Sequence, residues 1–184
     1  MAGPERTALR KAVFLDRDGV VNVDRGYVHR VEDFEFIADT PQALSRLQRA
    51  GWALVVVTNQ SGIGRGRFGE TDYQRLSAHM RSELQRSGVE LDAVLHCPHR
   101  PDEGCNCRKP APGMLLSAAA EAGLDLPASV MVGDKLADLQ AGRAAGVARC
   151  VLVLSGKPAG AAARAAADEV HATLAHWVDS LADD

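Results

Sequence analysis

Three scarcities frame this sequence. Aromatic residues are few, two Trp, two Tyr and four Phe among 184 residues, so a folded core has to be built from Val, Leu and Ala. Long apolar runs are missing: ALVVV at residues 53–57 is far below the roughly 20 residues that span a bilayer. The opening MAGPERTALRK likewise holds no apolar signal core. An excess of either charge is missing too. Lys and Arg number 21 against 24 Asp and Glu, for a net charge of -3, and the basic residues are scattered. That distribution excludes the basic footprint of a nucleic-acid binder and the polybasic face of a membrane binder, and it leaves small anionic partners open. The expected location is the cytoplasm.

What is present is an alternation. A chain of 184 residues fits one ordinary domain, so a single domain over residues 1–184 is expected. Apolar runs that close on acids, hydroxyls or small residues recur as KAVFLD (11–16), ALVVVT (53–58), AVLH (93–96), SVMVGD (129–134) and ARCVLVL (148–154), and they read as buried parallel strands. Helical patterns lie between them. The cleanest is TPQALSRLQRAG, with Thr40 as N-cap, Pro41 in the first turn and Gly51 as the stop. TDYQRLSAHMRSELQRSG, PGMLLSAAAEAG and KLADLQAGRAAG follow, and the Ala-rich GKPAGAAARAAADEV at 156–170 is expected to pack as a last helix. The pattern predicts a doubly wound α/β sheet whose ligands bind beyond the carboxyl ends of the strands, with no large cap domain. Loops alone would then cover the site, and a monomer is the expected state.

The residues at those strand ends carry the chemistry. Asp16 and Asp18 stand two apart, so on an extended chain their carboxylates point the same way; they could share a cation, act as nucleophile and acid/base, or merely cap a turn beside Gly19. Thr58, Asn59, Gln60, Ser61 and Gly62 place a hydroxyl before a polar loop able to present backbone N–H groups to phosphate, although such turns are common. The GIGRG at 62–66 lacks the spacing of a dinucleotide fingerprint. Arg108 and Lys109 follow, then Gly133, Asp134, Lys135 and Asp138.

In that order the acid pair, the hydroxyl, the lysine and the second acid resemble the haloacid dehalogenase superfamily of phosphohydrolases, over nearly the whole chain. The resemblance implies Asp16 as nucleophile forming an aspartyl-phosphate, Asp18 as acid for the leaving alkoxide and base for water, and Thr58 and Lys109 on the transferring phosphoryl group. It implies Mg²⁺ held by Asp16, the Asp18 backbone carbonyl and Asp134, with Asp138 orienting Lys109 or the metal's surroundings. The chemistry makes sense of the set. A carboxylate attacking a phosphate monoester brings two anions together, so a cation and hydrogen-bond donors have to stand where the charge gathers.

Cysteine is scarce as well, but three of the four fall in residues 97–107. Cys97, His99, Cys105 and Cys107 offer three thiolates and one imidazole, the soft four-ligand set of a closed structural zinc site. Free buried thiols and a disulfide are the competing readings. Cys150 sits in an apolar strand and reads as core, while His29, His79, His96, His171 and His176 read as surface or packing residues. A metal-held loop running into Arg108-Lys109-Pro110 resembles the histidinol-phosphate phosphatase subgroup. Within it, LDRDGVVNVDRGYVHRVEDFEFI, TNQSGIGRG, CRKPAPGM and VGDKLADLQAG look like members acting on a sugar bisphosphate. That resemblance implies substrate contacts from Asp24, Arg25, Gly26, Tyr27, Thr58, Asn59, Gln60, Ser61, Arg108, Lys109 and Lys135. Histidinol phosphate is the competing substrate, and a catalytically silent zinc-stabilised binding module is the competing class.

Overall fold

Successive residues of β1 (Ala12–Leu15) and β2 (Ala53–Asn59) alternate between two apolar layers, which shows why their runs are apolar without interruption. Val13, Leu15, Leu54 and Val56 face one layer; Ala12, Phe14, Ala53, Val55 and Val57 face the other. The structure is a computed structural model and describes residues 9–181. Residues 1–8, which begin the segment read above for a signal core, lie outside the described residues, as do residues 182–184.

The remaining strands are β3 (Ala93–Cys97), β4 (Val130–Gly133), β5 (Arg149–Val153) and β6 (Glu169–His171). All pairings are parallel and the order is β3-β2-β1-β4-β5-β6, so β1, with Asp16 just past its end, is flanked on both sides. Among the described residues seven α-helices flank the sheet: α1 (Thr40–Arg49), α2 (Ser61–Gly64), α3 (Glu70–Arg86), α4 (Gly113–Ala122), α5 (Leu136–Ala145), α6 (Ala161–Ala166) and α7 (Leu174–Ser180). Leu44 and Leu47 of α1, Met80 and Leu84 of α3 and Trp177 of α7 fill one face; Leu115 of α4, Leu139 of α5 and Ala163 of α6 fill the other. Each fully buried large aliphatic side chain contributes about 1.5–3 kcal/mol, so these two layers dominate stability. Among the described residues no helix is long and apolar enough to cross a membrane.

Two expectations need correction. Thr40 does not cap α1: Asp39 occupies that position, Thr40 begins the helix, and its buried hydroxyl has no partner. The Ala-rich segment is not the last helix. Only Ala161–Ala166 is helical, because Gly160 and the extended Ala167 bound it, and the chain goes on into β6 and α7. The short β6 offers too few residues for a period to show, while α7 is announced by Thr173, whose hydroxyl accepts from the His176 N–H.

Gly142 sets how closely α5 approaches the sheet, since a Cβ there would lie 2.7 Å from Met131 Cβ and 2.9 Å from Cys150 Sγ. Gly142→Val should therefore destabilise the protein by about 1–3 kcal/mol, an overpacking cost that outweighs the gain in helix propensity. Chemical denaturation measures it; a midpoint equal to wild type would refute the close packing.

Candidate active site

The strand ends deliver an unusual density of buried charge. Lys109 is buried, and its ammonium donates to Asp138 Oδ1 at 2.6 Å, Asp16 Oδ1 at 2.9 Å and the Val57 carbonyl at 2.8 Å. A buried ammonium is tolerable only with its charge and protons satisfied, and here all three protons are. Burial alone would lower the Lys109 pKa, but the charges of Asp138 and Asp16 raise it overall. Burial pushes Asp16 the other way, yet Lys109 and Lys135 hold its carboxyl below the usual range. Asp16 Oδ1 also accepts from the Arg17 N–H at 2.8 Å, whereas Oδ2 has Lys135 no nearer than 3.8 Å. One oxygen is thus pinned and the other faces the cavity.

Asp18 is fixed from behind by a residue that the sequence reading passed over. Arg17 is buried, and it donates from Nε and Nη2 to the Asp18 carboxylate at 3.0–3.2 Å and from Nη2 to the Val28 carbonyl at 2.7 Å. Asn22 Nδ2 and Gln60 Nε2 also donate to Asp18, at 3.1 and 3.0 Å, and Gln60 donates to the buried Thr58 hydroxyl oxygen at 2.8 Å. Its neighbour in sequence gives no hint of this, because Arg between two acids reads as a solvated charge.

Asp134 behaves as a carboxylate made for a cation. Its Oδ2 is buried without a hydrogen-bond partner, its Oδ1 accepts from Lys135 Nζ at 3.0 Å, and burial with the charge of Asp16 pushes its pKa up to about 7. Two glycines wrap it. A Cβ on Gly156 would stand 1.9 Å from Asp134 Oδ2, and one on Gly19, itself at φ +92°, would stand 2.5 Å away. Asp16, Asp134 and Asp138 oxygens lie within 4.8 Å of one another, but Asp138 spends its oxygens on Lys109 Nζ and the Lys135 N–H. Asp16 and Asp134 remain as donors for a hard cation, in keeping with the oxygen preference of Mg²⁺.

A cavity of about 350 Å³ opens over these groups, lined also by Asp24, Gly26, Tyr27, Asn59, Ser61 and Arg108. Asp24 Oδ2 stands 3.9 Å from Lys135 Nζ and 3.8 Å from Lys157 Nζ. Tyr27 holds a left-handed backbone, φ 50°, with Arg67 Cζ 4.5 Å above its ring. The sequence reading missed Lys157, Arg67 and Gly156, which no local pattern marks. Arg25 is brought elsewhere: it pairs with Glu35 and lines the neighbouring groove rather than this cavity.

Beside the cavity the four sulfur and nitrogen groups converge. Cys97 Sγ is 3.6 Å from Cys105 Sγ and 3.5 Å from His99 Nδ1, which is 3.3 Å from Cys107 Sγ, and all four atoms fit within 4.8 Å. Tetrahedral bonds of about 2.3 Å to sulfur separate ligand atoms by roughly 3.8 Å, so the spacing suits a metal. Burial, aided by a hydrogen bond with Cys107, pushes the Cys97 thiol up to about 12; Cys105 resists burial through the Arg108 N–H and falls to about 7. Such crowding opposes joint ionisation unless a cation enters. Asn59 binds the next segment at two points, Nδ2 to the Lys109 carbonyl at 3.0 Å and Oδ1 from the Lys109 N–H at 3.1 Å. Cys150 is buried in the core, and His29 and His96 stack on Phe68 and Tyr73.

Comparison with known proteins gives these positions relatives. Residues 106–183 match the HAD-hydrolase-like family profile. A D-glycero-beta-D-manno-heptose-1,7-bisphosphate 7-phosphatase of Photorhabdus laumondii is 48% identical over 94% of this chain and 92% of its own. The protein of that name from Escherichia coli K12 is 50% identical over 89% of this chain and 90% of its own. Among solved structures, the D,D-heptose 1,7-bisphosphate phosphatase of B. bronchiseptica, complexed with magnesium and phosphate, superposes with a TM-score of 0.84 at 36% identity, covering 94% of this chain and 98% of that one.

The glycine cradle yields a test. Gly156→Ala drives a methyl group into the Asp134 carboxylate, so calorimetric titration should show Mg²⁺ binding at least about tenfold weaker, a loss of roughly 1.4 kcal/mol or more. Unchanged Mg²⁺ affinity in a folded variant would show that Asp134 has more freedom than its surroundings suggest.

Proposed function

We infer the reaction from one premise: the chain belongs to the haloacid dehalogenase-like hydrolases, within the family of heptose-1,7-bisphosphate 7-phosphatases. It is a phosphoric monoester hydrolase that removes the C7 phosphate of D-glycero-D-manno-heptose 1,7-bisphosphate and leaves the anomeric C1 phosphate in place for later nucleotide activation. The observation that carries this reading is Asp16, a carboxylate kept ionised by Lys109 and Lys135, with one oxygen pinned and the other turned to the cavity.

Asp16 Oδ2 forms the bond to phosphorus as the bond from phosphorus to the C7 oxygen breaks, and Asp18 passes its proton to that leaving oxygen. Asp18 then takes a proton from water, the water oxygen bonds to phosphorus, and the Asp16–phosphorus bond breaks to release phosphate. Arg17, Asn22 and Gln60 keep the Asp18 carboxylate beside the cavity for both transfers. Thr58 and Lys109 set a hydroxyl and a positive charge against the transferring group. Mg²⁺, which Asp16, the Asp18 carbonyl and Asp134 would hold, supplies charge neutralisation between nucleophile and phosphate when bound. Asp138 holds Lys109 in place. The four groups at 97–107 hold Zn²⁺ as a closed structural site in this reading, inside a single domain that acts as a monomer in the cytoplasm.

Substrate choice follows from charge. Histidinol phosphate carries a cationic amine, which calls for an unpaired carboxylate near the cavity mouth. Asp24 is the carboxylate beyond the reacting centre, and Lys135 and Lys157 already flank it. Arg108 lines the cavity with a 3.4 Å bond to the His99 carbonyl and no carboxylate partner among the described residues. A second phosphate suits that guanidinium.

Phosphate release from both heptose bisphosphate anomers, histidinol phosphate and p-nitrophenyl phosphate decides the matter, with Asp16→Asn as the inactive control. Arg108→Ala should lower kcat/KM for the bisphosphate by about tenfold to a hundredfold, the worth of charge-assisted hydrogen bonds, and much less for the minimal ester. An equal loss on both would move Arg108 into the general chemistry, and preference for histidinol phosphate would overturn the substrate. Elemental analysis should find about one zinc per chain, retained where Mg²⁺ is stripped, because four protein ligands leave no exchangeable position. Less than a few tenths of an equivalent, with thiols intact and no chelator used, would exclude the zinc site.

A further inference from the structure

We propose that Lys157 is a specificity-determining residue whose ammonium binds the phosphate that is not transferred, from the side of the cavity opposite Arg108. The inference rests on the bisphosphate reading above. Three observations carry it.

The first is placement. Lys157 lines the cavity, and the segment that presents it is fixed at two points: the Ser155 hydroxyl donates to the Gly19 carbonyl at 2.8 Å, and Gly156 lies against Asp134 with no room for a Cβ. Arg108 follows β3 and Lys157 follows β5, two places from β1 on either side of the sheet. A sugar bisphosphate whose C7 phosphate sits at Asp16, beyond β1, extends outward between the loops that carry these two cations.

The second is availability. Lys109 donates all its protons to protein oxygens, and Lys135 is 3.0 Å from Asp134. Lys157 is 65% exposed, and its nearest carboxylate oxygen, on Asp24, stands 3.8 Å away, too far for a hydrogen bond. Its donors are therefore open to a ligand, while Asp24 still attracts the ammonium toward the cavity.

The third is balance of charge. Asp24 is a nearly buried carboxylate in the cavity wall, and a second phosphate would face it with repulsion unless a cation stood on the same side. Lys135 stands 3.0–3.9 Å from Asp134, Asp16 and Asp24, so its charge is shared by three carboxylates. Lys157 faces Asp24 alone among the carboxylates of the described residues, so its charge is the less committed of the two.

The test compares heptose 1,7-bisphosphate with the same sugar carrying the C7 phosphate alone. Lys157→Ala should lower the ratio of kcat/KM between the two by roughly tenfold, the effect of one charge-assisted hydrogen bond, with the loss expressed in KM for the bisphosphate. Lys157→Arg should restore most of the ratio, since it keeps the charge and the donors. A ratio unchanged in Lys157→Ala, or equal losses on both sugars, would overturn the proposal and leave the bisphosphate reading intact. A wild-type ratio near one would overturn the bisphosphate reading itself, and this proposal with it. Lys157 is exposed, so its truncation spares the fold, which thermal melting verifies.

Discussion

A buried ammonium between two carboxylates organises this molecule. Moving an unpaired Lys109 into the interior would cost several kcal/mol, and removing it would leave Asp16 and Asp138 repelling each other out of water. With the three together, the charges offset one another: Lys109 is held protonated, Asp16 is held ionised, and Asp138, raised by burial despite the lysine, serves as the fixed counterweight. The surplus negative charge, reinforced by Asp134, is what a divalent cation completes. The reactivity proposed for Asp16 would then be a by-product of how the interior tolerates charge.

The parallel sheet lets this cluster exist. Asp16, Thr58 and Asp134 come from β1, β2 and β4, three neighbours whose ends lie side by side, so residues far apart in sequence meet without long excursions. Lys109 has no strand of its own and has to be brought in. The segment after β3 does this with the cysteine and histidine cluster on one side and the paired bonds from Asn59 on the other.

That division explains what could be read from the sequence. Asp16, Asp18, Thr58 and Asp134 could be placed together because an apolar run that stops at a polar residue marks a strand end, and parallel topology obliges strand ends to share one edge; Lys109, which ends no strand, could be placed there only through the resemblance of its motif. The convergence of Cys97, His99, Cys105 and Cys107 was legible because four soft side chains so close in sequence can meet without help from the rest of the fold. The inward turn of Arg17, the aim of Lys157 and the stacking of Arg67 on Tyr27 were not, since each depends on a partner from another loop. Gly156 resembles any loop glycine until Asp134 is seen against it. The strand β6 escaped because its three residues are too few to show a period, and helix α7 because its seven residues make only about two turns.

The reciprocal bonds between the Asn59 amide and the Lys109 backbone have one more consequence. They imitate a rung of a β-ladder, so Lys109 has a tie to β2 through a side chain in addition to the sulfur cluster that precedes Arg108. On the roles proposed above, recognition then depends on the cluster alone, and bond breaking on the cluster and on Asn59. Oxidation of the thiols would slacken the first while the second held, and the enzyme would grow indiscriminate before it grew slow.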